Sequence, residues 1–260
     1  MNSKSRLLLL VSLALTLASA AYAQGEGREF RWSGKLAPDQ VVEIKNVNGT
    51  IEAEAANGDE IQVTAEKIGP RAEEVKIEVV PSSEGVTICA IYPSASGTCE
   101  PGTHWHSGNV HGDRAQVRFH ALIPRNLRFT GISVNGNVSA EDMGRFVYAE
   151  SVNGSIRVST TAWAHMETVN GSVKGRMGNA GWNGILKIAS VNGSVELEMP
   201  DGLSANVDFK SVNGGINSDF PISISGFVGH SAHGQIGSGG RELEIRTVNG
   251  SVTLKKAGGI

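Results

Sequence analysis

Large rings are scarce in this chain. Aromatic residues make up only 5% of its 260 positions, so the interior has to be filled by small and β-branched side chains. Net charge is equally slight: 23 Lys and Arg against 26 Asp and Glu leave −3, with both signs interspersed. That distribution lacks the basic stripe a phosphate backbone requires, which excludes nucleic acid as the expected partner. Only two cysteines occur, Cys89 and Cys99, without the C-x-x-C spacing of a redox dithiol. In an oxidising compartment two cysteines this close form a local disulfide, with a stabilisation of about 3 kcal/mol in the chain-entropy model.

Long apolar runs are missing too. The one candidate, residues 7–18, is about a dozen residues long and too short to span a bilayer. Lys4 and Arg6 precede it and Ala21-Tyr22-Ala23 follows, which makes 1–23 a secretory signal peptide cleaved after Ala23. Gln24 would then begin the mature chain, and because it is not Cys no bacterial lipid anchor forms there. An exported protein is expected, periplasmic or at the cell surface, without a transmembrane span in its mature form.

No stretch of the remaining sequence sustains a 3.6-residue apolar period, so helices are not expected. What is abundant is glycine, 33 residues, much of it in one recurring phrase. Ser/Thr-Val-Asn-Gly-Ser followed by Ile or Val stands around Asn153, Asn170, Asn192 and Asn249, and with one change around Asn48, Asn135 and Asn213. Alternating apolar and polar residues flank it, as at Ile61, Val63 and Ala65, the period-two signature of half-buried strands. A phrase returning every 16 to 22 residues marks stacked strand-turn units.

Asn-Gly is also the strongest short hairpin signal. A two-residue loop at Asn153-Gly154 would set Val152 opposite Ser155 and Ser151 opposite Ile156, mixing apolar with polar on each face. Parallel stacking instead places Val on Val, Asn on Asn and Gly on Gly. The expected fold is therefore all-β, a right-handed parallel β-solenoid of short strands with Asn-Gly corners, in which glycine supplies positive φ and asparagine an amide ladder. Ser231-Ala232-His233-Gly234 has the shape of the phrase, so His233 is read as the corner of a degenerate rung between Asn213 and Asn249. The domain plan is an N-terminal β region and cap over 24–130, a regular stack over 131–256 and a tail at 257–260, with 24–256 one continuous domain. Because only that tail follows the last repeat, the C-terminal edge is a place for self-association.

The repeated phrases, the entry strand ending in Asn46-Val47-Asn48-Gly49, and Ala121-Leu122-Ile123-Pro124 leading into Leu127 resemble the bacterial putative-adhesin, β-strand-repeat family, a domain of unknown function. The resemblance covers about 41–255. It implies a β-solenoid in exported or membrane-associated bacterial proteins, with adhesion or envelope signalling as roles, and it brings no catalytic residues. A non-enzymatic cell-envelope or surface protein follows, binding an envelope polymer, a surface ligand or a protein partner.

Residues 89–111 depart from the simple pattern. His104, His106 and His111, with His120 beyond, form an H-x-H-x₄-H cluster in a Gly-rich segment. Two readings stand: a periplasmic zinc or copper site, since His104 and His106 would share a strand face, or a solvated disulfide-tethered loop without cofactor. Trp163 and Trp182 fall between repeats, where a ring either offers a platform for a sugar or partner or folds back over the core. Parallel β-helices also carry polysaccharide lyases and glycosidases, but the acids here are scattered among different turns, so no catalytic set is assigned. The Asn-Gly-Ser/Thr phrases match the glycosylation sequon; their regularity makes them structural.

Overall fold

The computed structural model describes residues 22–24, 27–94, 97–103, 114–228 and 231–258. In chain order the strands are β1 (Tyr22–Gln24), β2 (Glu29–Gly34), β3 (Val41–Asn48), β4 (Ile51–Ala56), β5 (Ile61–Ile68), β6 (Lys76–Ser82), β7 (Gly85–Ile91) and β8 (Gln116–Pro124). They continue with β9 (Arg128–Asn135), β10 (Val138–Met143), β11 (Val147–Asn153), β12 (Ile156–Thr160), β13 (Ala164–Asn170), β14 (Val173–Met177) and β15 (Ile185–Asn192). The last are β16 (Val195–Met199), β17 (Ala205–Asn213), β18 (Ile216–Ser218), β19 (Ile222–Val228), β20 (Ser231–Ile236), β21 (Arg241–Asn249) and β22 (Val252–Lys256). No α-helix occurs among the described residues, and no helix there is long and apolar enough to cross a membrane.

Two eleven-stranded sheets face each other. The first runs β1-β2-β5-β8-β4-β10-β12-β14-β16-β22-β18 and the second β19-β20-β17-β21-β15-β13-β11-β9-β3-β7-β6. Each Asn-Gly step lies between a strand of the second sheet and the next strand, in the first, so one phrase joins the two halves of a rung. Rungs pair in parallel and in register: Val138 lies beside both Ile51 and Ile156, then Val173, Val195, Val252 and Ile216 follow in file. Nearly all of that file is buried, and with the inward residues of the second sheet, among them Phe129, Val147, Leu186 and Leu243, it forms one narrow aliphatic core. The scarcity of rings follows, since two sheets about 10 Å apart leave space for one layer of interdigitating side chains.

Three residues of the phrase have separate tasks. The Asn ladder runs from Asn48 through Asn135, Asn153, Asn170, Asn192 and Asn249 to Asn213, each amide donating to the preceding Oδ1 at 2.7 to 2.8 Å. The Ser or Thr two positions before each Asn donates to the glycine carbonyl of the rung below, as Thr168 does to Gly154 at 2.7 Å. Glycine is required by contact, and positive φ is not the common reason. A Cβ on Gly136 would stand 1.9 Å from the Gly49 oxygen, and one on Gly154 2.0 Å from the Gly136 oxygen, while neither residue has φ in the left-handed region. Tyr92 and Asn46 close the first rung: Asn46 donates to the Val117 carbonyl, and the Tyr92 hydroxyl donates to the Asn48 carbonyl.

The expected degenerate rung is not a rung. His233 lies on β20, which runs antiparallel to both β17 and β19, with His233 opposite Asp208 and outside the Asn ladder. The hairpin β19–β20 covers the second-sheet side of β17. The chain then returns past it, and β21 and β22 enter the stack between β15/β16 and β17/β18. Consequently the last repeat is interior, and the edge expected beside it is taken by β18 and the hairpin.

Candidate functional site

The ladder asparagines are committed to one another, so the loudest residues of the sequence are structural. The phrase valines are the exception: Val152, Val169, Val191 and Val248 are each 38 to 40% exposed and form a stripe along the stack. Of the two readings of Trp182, the structure has the ring folded over the core: it is buried, with its indole N–H donating to the Glu242 carbonyl at 2.9 Å. Its ring seals the core where β21 enters and is not available to a ligand. Trp163 is half-buried, packed on the core and tilted against Phe146 at 6.4 Å between centroids. His104, His106 and His111 lie outside the described residues. Among the described residues no group of three His, Cys, Asp or Glu side chains could hold a metal ion.

Cys89 and Cys99 form the disulfide, which pins residues 97–103 across the outer face of the second sheet. Two charged side chains fasten the same segment. Lys45 and Glu43 point outward from β3 yet are buried beneath it: the Lys45 ammonium donates to the carbonyls of Glu100 and Gly102 (2.5 and 2.6 Å) and lies 3.6 Å from the Glu43 carboxylate. Glu43 in turn accepts from the Gly102 N–H at 3.0 Å and the Thr87 hydroxyl at 2.7 Å. Burial draws the Lys45 ammonium below the ordinary lysine range, and Glu43 opposes that shift.

Beside this loop the outer face of the second sheet carries a groove of about 390 Å³. Pro101, Gly102 and Thr103 form one wall, Phe146 and Tyr148 the other, and Thr130 lies in register between Glu43 and Tyr148. Tyr148 stacks on His165 of the next rung, centroids 4.8 Å apart and planes 7° apart. Its other ring face is therefore turned toward Thr130 and the groove. The Tyr148 hydroxyl donates to Glu150 at 2.8 Å, and burial together with that carboxylate raises the phenol above its usual range. A threonine between longer neighbours makes the gap, and an aromatic backed by a second ring makes a rigid wall.

The adjoining carboxylate Glu167 is held by His165 Nε2 at 2.7 Å and the Lys187 ammonium at 2.9 Å. Chiefly the His165 hydrogen bond, with that of Lys187, lowers its pKa to about 2. On the opposite sheet a larger trough of about 500 Å³ passes Ser155, Ser172 and Ser194 but contains no ring, and Ser155 and Ser194 each accept a backbone N–H group of a neighbouring rung. Its Glu196 is bound by Lys174 and Lys255, both at 3.1 Å. The aromatic-walled groove is the better candidate. Phe146 and Tyr148 were legible by aligning repeats on their asparagines, since Phe146 and Trp163 stand seven positions before Asn153 and Asn170, and Tyr148 and His165 five.

A family model described as Toastrack DUF4097 matches residues 103–255. No curated protein matches the chain. Among solved structures, one described as a "putative cell adhesion protein" from Clostridium sporogenes is 11% identical, covers 88% of this chain and 100% of its own, and has a TM-score of 0.46. Another, a "putative adhesin" from Bacteroides fragilis, is 10% identical over 87% of this chain and 97% of its own, with a TM-score of 0.32.

Proposed function

Because the chain belongs to the Toastrack DUF4097 family, a domain without an assigned activity, we propose its role from the groove: an exported, non-enzymatic binding protein of the bacterial cell envelope that holds a carbohydrate polymer between Tyr148 and the disulfide-anchored loop. The observation that carries this reading is the groove-side face of Tyr148, stacked on by no other ring among the described residues, stiffened by His165 behind it and set across Thr130 from Pro101 and Thr103. A sugar ring offers C–H groups to such a face and hydroxyls to the polar rim, which includes Glu84, Arg128 and the loop backbone. Among the described residues nothing closes over the groove, which suits a polymer segment better than a small molecule. The disulfide supports export, because such bonds persist in oxidising compartments. We read the coil as right-handed, the usual hand of parallel crossovers, with the Asn-Gly steps as its corners.

The binding role is favoured over hydrolysis by the state of the nearby acids. Glycoside cleavage needs one carboxylic acid kept protonated to release the leaving group. Of the acids lining the groove, Glu43 is paired with Lys45 and Glu84 with Arg128; on the adjoining strands Glu167 is held ionised and Glu150 accepts the Tyr148 hydroxyl. Co-sedimentation of the full chain with peptidoglycan sacculi, chitin and cellulose tests both points. At least one glycan should retain the protein, Tyr148→Ala should weaken retention tenfold or more, and no new reducing ends should appear. Equal retention of the variant would refute the site, and released reducing ends would refute the non-enzymatic reading.

A further inference from the structure

The rung that ends the sequence does not end the stack, and its two interfaces are chemically alike. On one side Asn249 donates to Asn192 Oδ1 at 2.7 Å and Thr247 to the Gly193 carbonyl at 2.8 Å. On the other, Asn213 donates to Asn249 Oδ1 at 2.8 Å and Ser211 to the Gly250 carbonyl at 2.9 Å. The inserted rung therefore presents to β17/β18 the same pair of acceptors that β15/β16 presents to it. Nothing in these contacts requires the inserted rung to come from the same chain. Its only covalent tie on the inner side is Gly237-Ser238-Gly239-Gly240, a link between β20 and β21 in which Gly237, Ser238 and Gly240 are exposed.

We propose that residues 241–256 are an exchangeable rung, through which two copies of this chain associate by each inserting it between β15/β16 and β17/β18 of the other. Exchange of an identical element keeps every contact of the monomer, so the two forms differ only in the link and in the entropy of association. The link sets which form is reached. Ile236 and Arg241 both lie beside Ala205, on opposite sides of β17, and are therefore about 9.6 Å apart at the usual strand spacing. Five Cα steps now cover that distance with length to spare. Removing Ser238, Gly239 and Gly240 leaves two steps and a reach of about 7 Å, too short to return within one chain.

The test compares the full chain with this three-residue deletion by light scattering after size separation. The full chain should be mainly monomeric, with dimer increasing after incubation at high concentration and warm temperature, and the deletion variant should be a dimer with unchanged β-sheet circular dichroism. A folded monomeric deletion variant would overturn the proposal. Should that variant not fold, a protease site placed at Ser238 of the full chain gives a second reading. After cleavage, a dye-labelled 241–258 peptide should replace the resident segment one for one, and the same peptide carrying Asn249→Ala should compete at least tenfold less well. Failure of the labelled peptide to enter the cleaved, still folded protein would equally overturn it.

Discussion

Gly154→Ala is the sharpest probe of what holds the rungs together. The added methyl would stand 2.0 Å from the Gly136 oxygen and 2.4 Å from its carbonyl carbon, where ordinary contact begins near 3.4 Å. Relief requires the two rungs to part locally by more than 1 Å, and the rung cannot simply retreat, because Thr168 of the next one donates to the Gly154 carbonyl at 2.7 Å. Three bonds to the preceding rung would be stretched beyond use: Ser151 to the Gly136 carbonyl (2.9 Å), Asn153 to Asn135 (2.8 Å) and the Ser155 N–H to Asn137 (2.8 Å). At roughly 1 kcal/mol each, with about 1–3 kcal/mol for overpacking, the loss should be about 4–6 kcal/mol. Gly58→Ala, with nothing within 4 Å, is the control and should change stability by less than about 0.5 kcal/mol. Gly214→Ala meets the Gly250 oxygen at the same 2.0 Å but leads into β18, the edge strand of the first sheet, which has a neighbour on one side only, and should cost only about 1–2 kcal/mol. Equilibrium urea unfolding followed by circular dichroism measures all three. A loss below about 1 kcal/mol for Gly154→Ala would refute close rung contact as the reason for glycine.

Three further outcomes are expected. Glu167 is lowered from 4.5 to about 2 in the folded chain, so its contribution is present above the unfolded value and lost as pH falls from about 4.5 toward 2. The upper bound is roughly 3 kcal/mol at 1.36 kcal/mol per pH unit, and Glu167→Gln should flatten stability across that window in urea titrations at successive pH values. Joint Cys89→Ser and Cys99→Ser substitution should remove about 3 kcal/mol for a ten-residue separation, and a stability unchanged under reducing conditions would contradict it. Lys45→Met leaves Glu43 buried without its cation and two carbonyls without a donor, and should cost about 3–5 kcal/mol, read by calorimetry. Adding Glu43→Gln should recover part of that loss.

The architecture was readable because its constraints are local and repeated. Alternation in segments such as 61–65 fixes which side chains face inward, and the pairing argument at Val152 to Ile156 distinguishes stacking from hairpins. The disulfide follows from two cysteines and their spacing. Less readable was the reason for glycine, since turn freedom and close approach select the same residue and only coordinates show the 1.9 to 2.3 Å conflicts along the ladder. Which of the two readings of Trp182 holds was not legible, because its partner, the Glu242 carbonyl, is 60 positions away. Lys45 and Glu43 were likewise hidden: on an alternating strand they count as solvent-facing, and only the 97–103 segment laid across them makes them an anchor for the groove.

The order of the rungs has a different status, and the His233 error shows why. A phrase that is nearly the same in every rung makes each rung an acceptable neighbour for every other, so the pattern reveals that rungs stack without saying which lies beside which. Sequence order then becomes the natural assumption, and it fails where β21 and β22 are inserted ahead of β17 and β18. Only residues outside the phrase break the tie. Besides the Trp182 indole bond to the Glu242 carbonyl, the Arg241 guanidinium donates to the Trp182 main-chain carbonyl at 3.1 Å, a contact that β17, with Ala205 at the position in register with Arg241, cannot reproduce. Specificity for the inserted rung thus rests at its entrance while affinity rests on the interchangeable ladder. Replacing Trp182 by Phe and Arg241 by Ala should therefore loosen residues 241–256 before any other rung, visible as hydrogen exchange of β21 amides at least tenfold faster while those of β13 are unchanged. Uniform acceleration along the stack would show instead that the ladder alone holds the order.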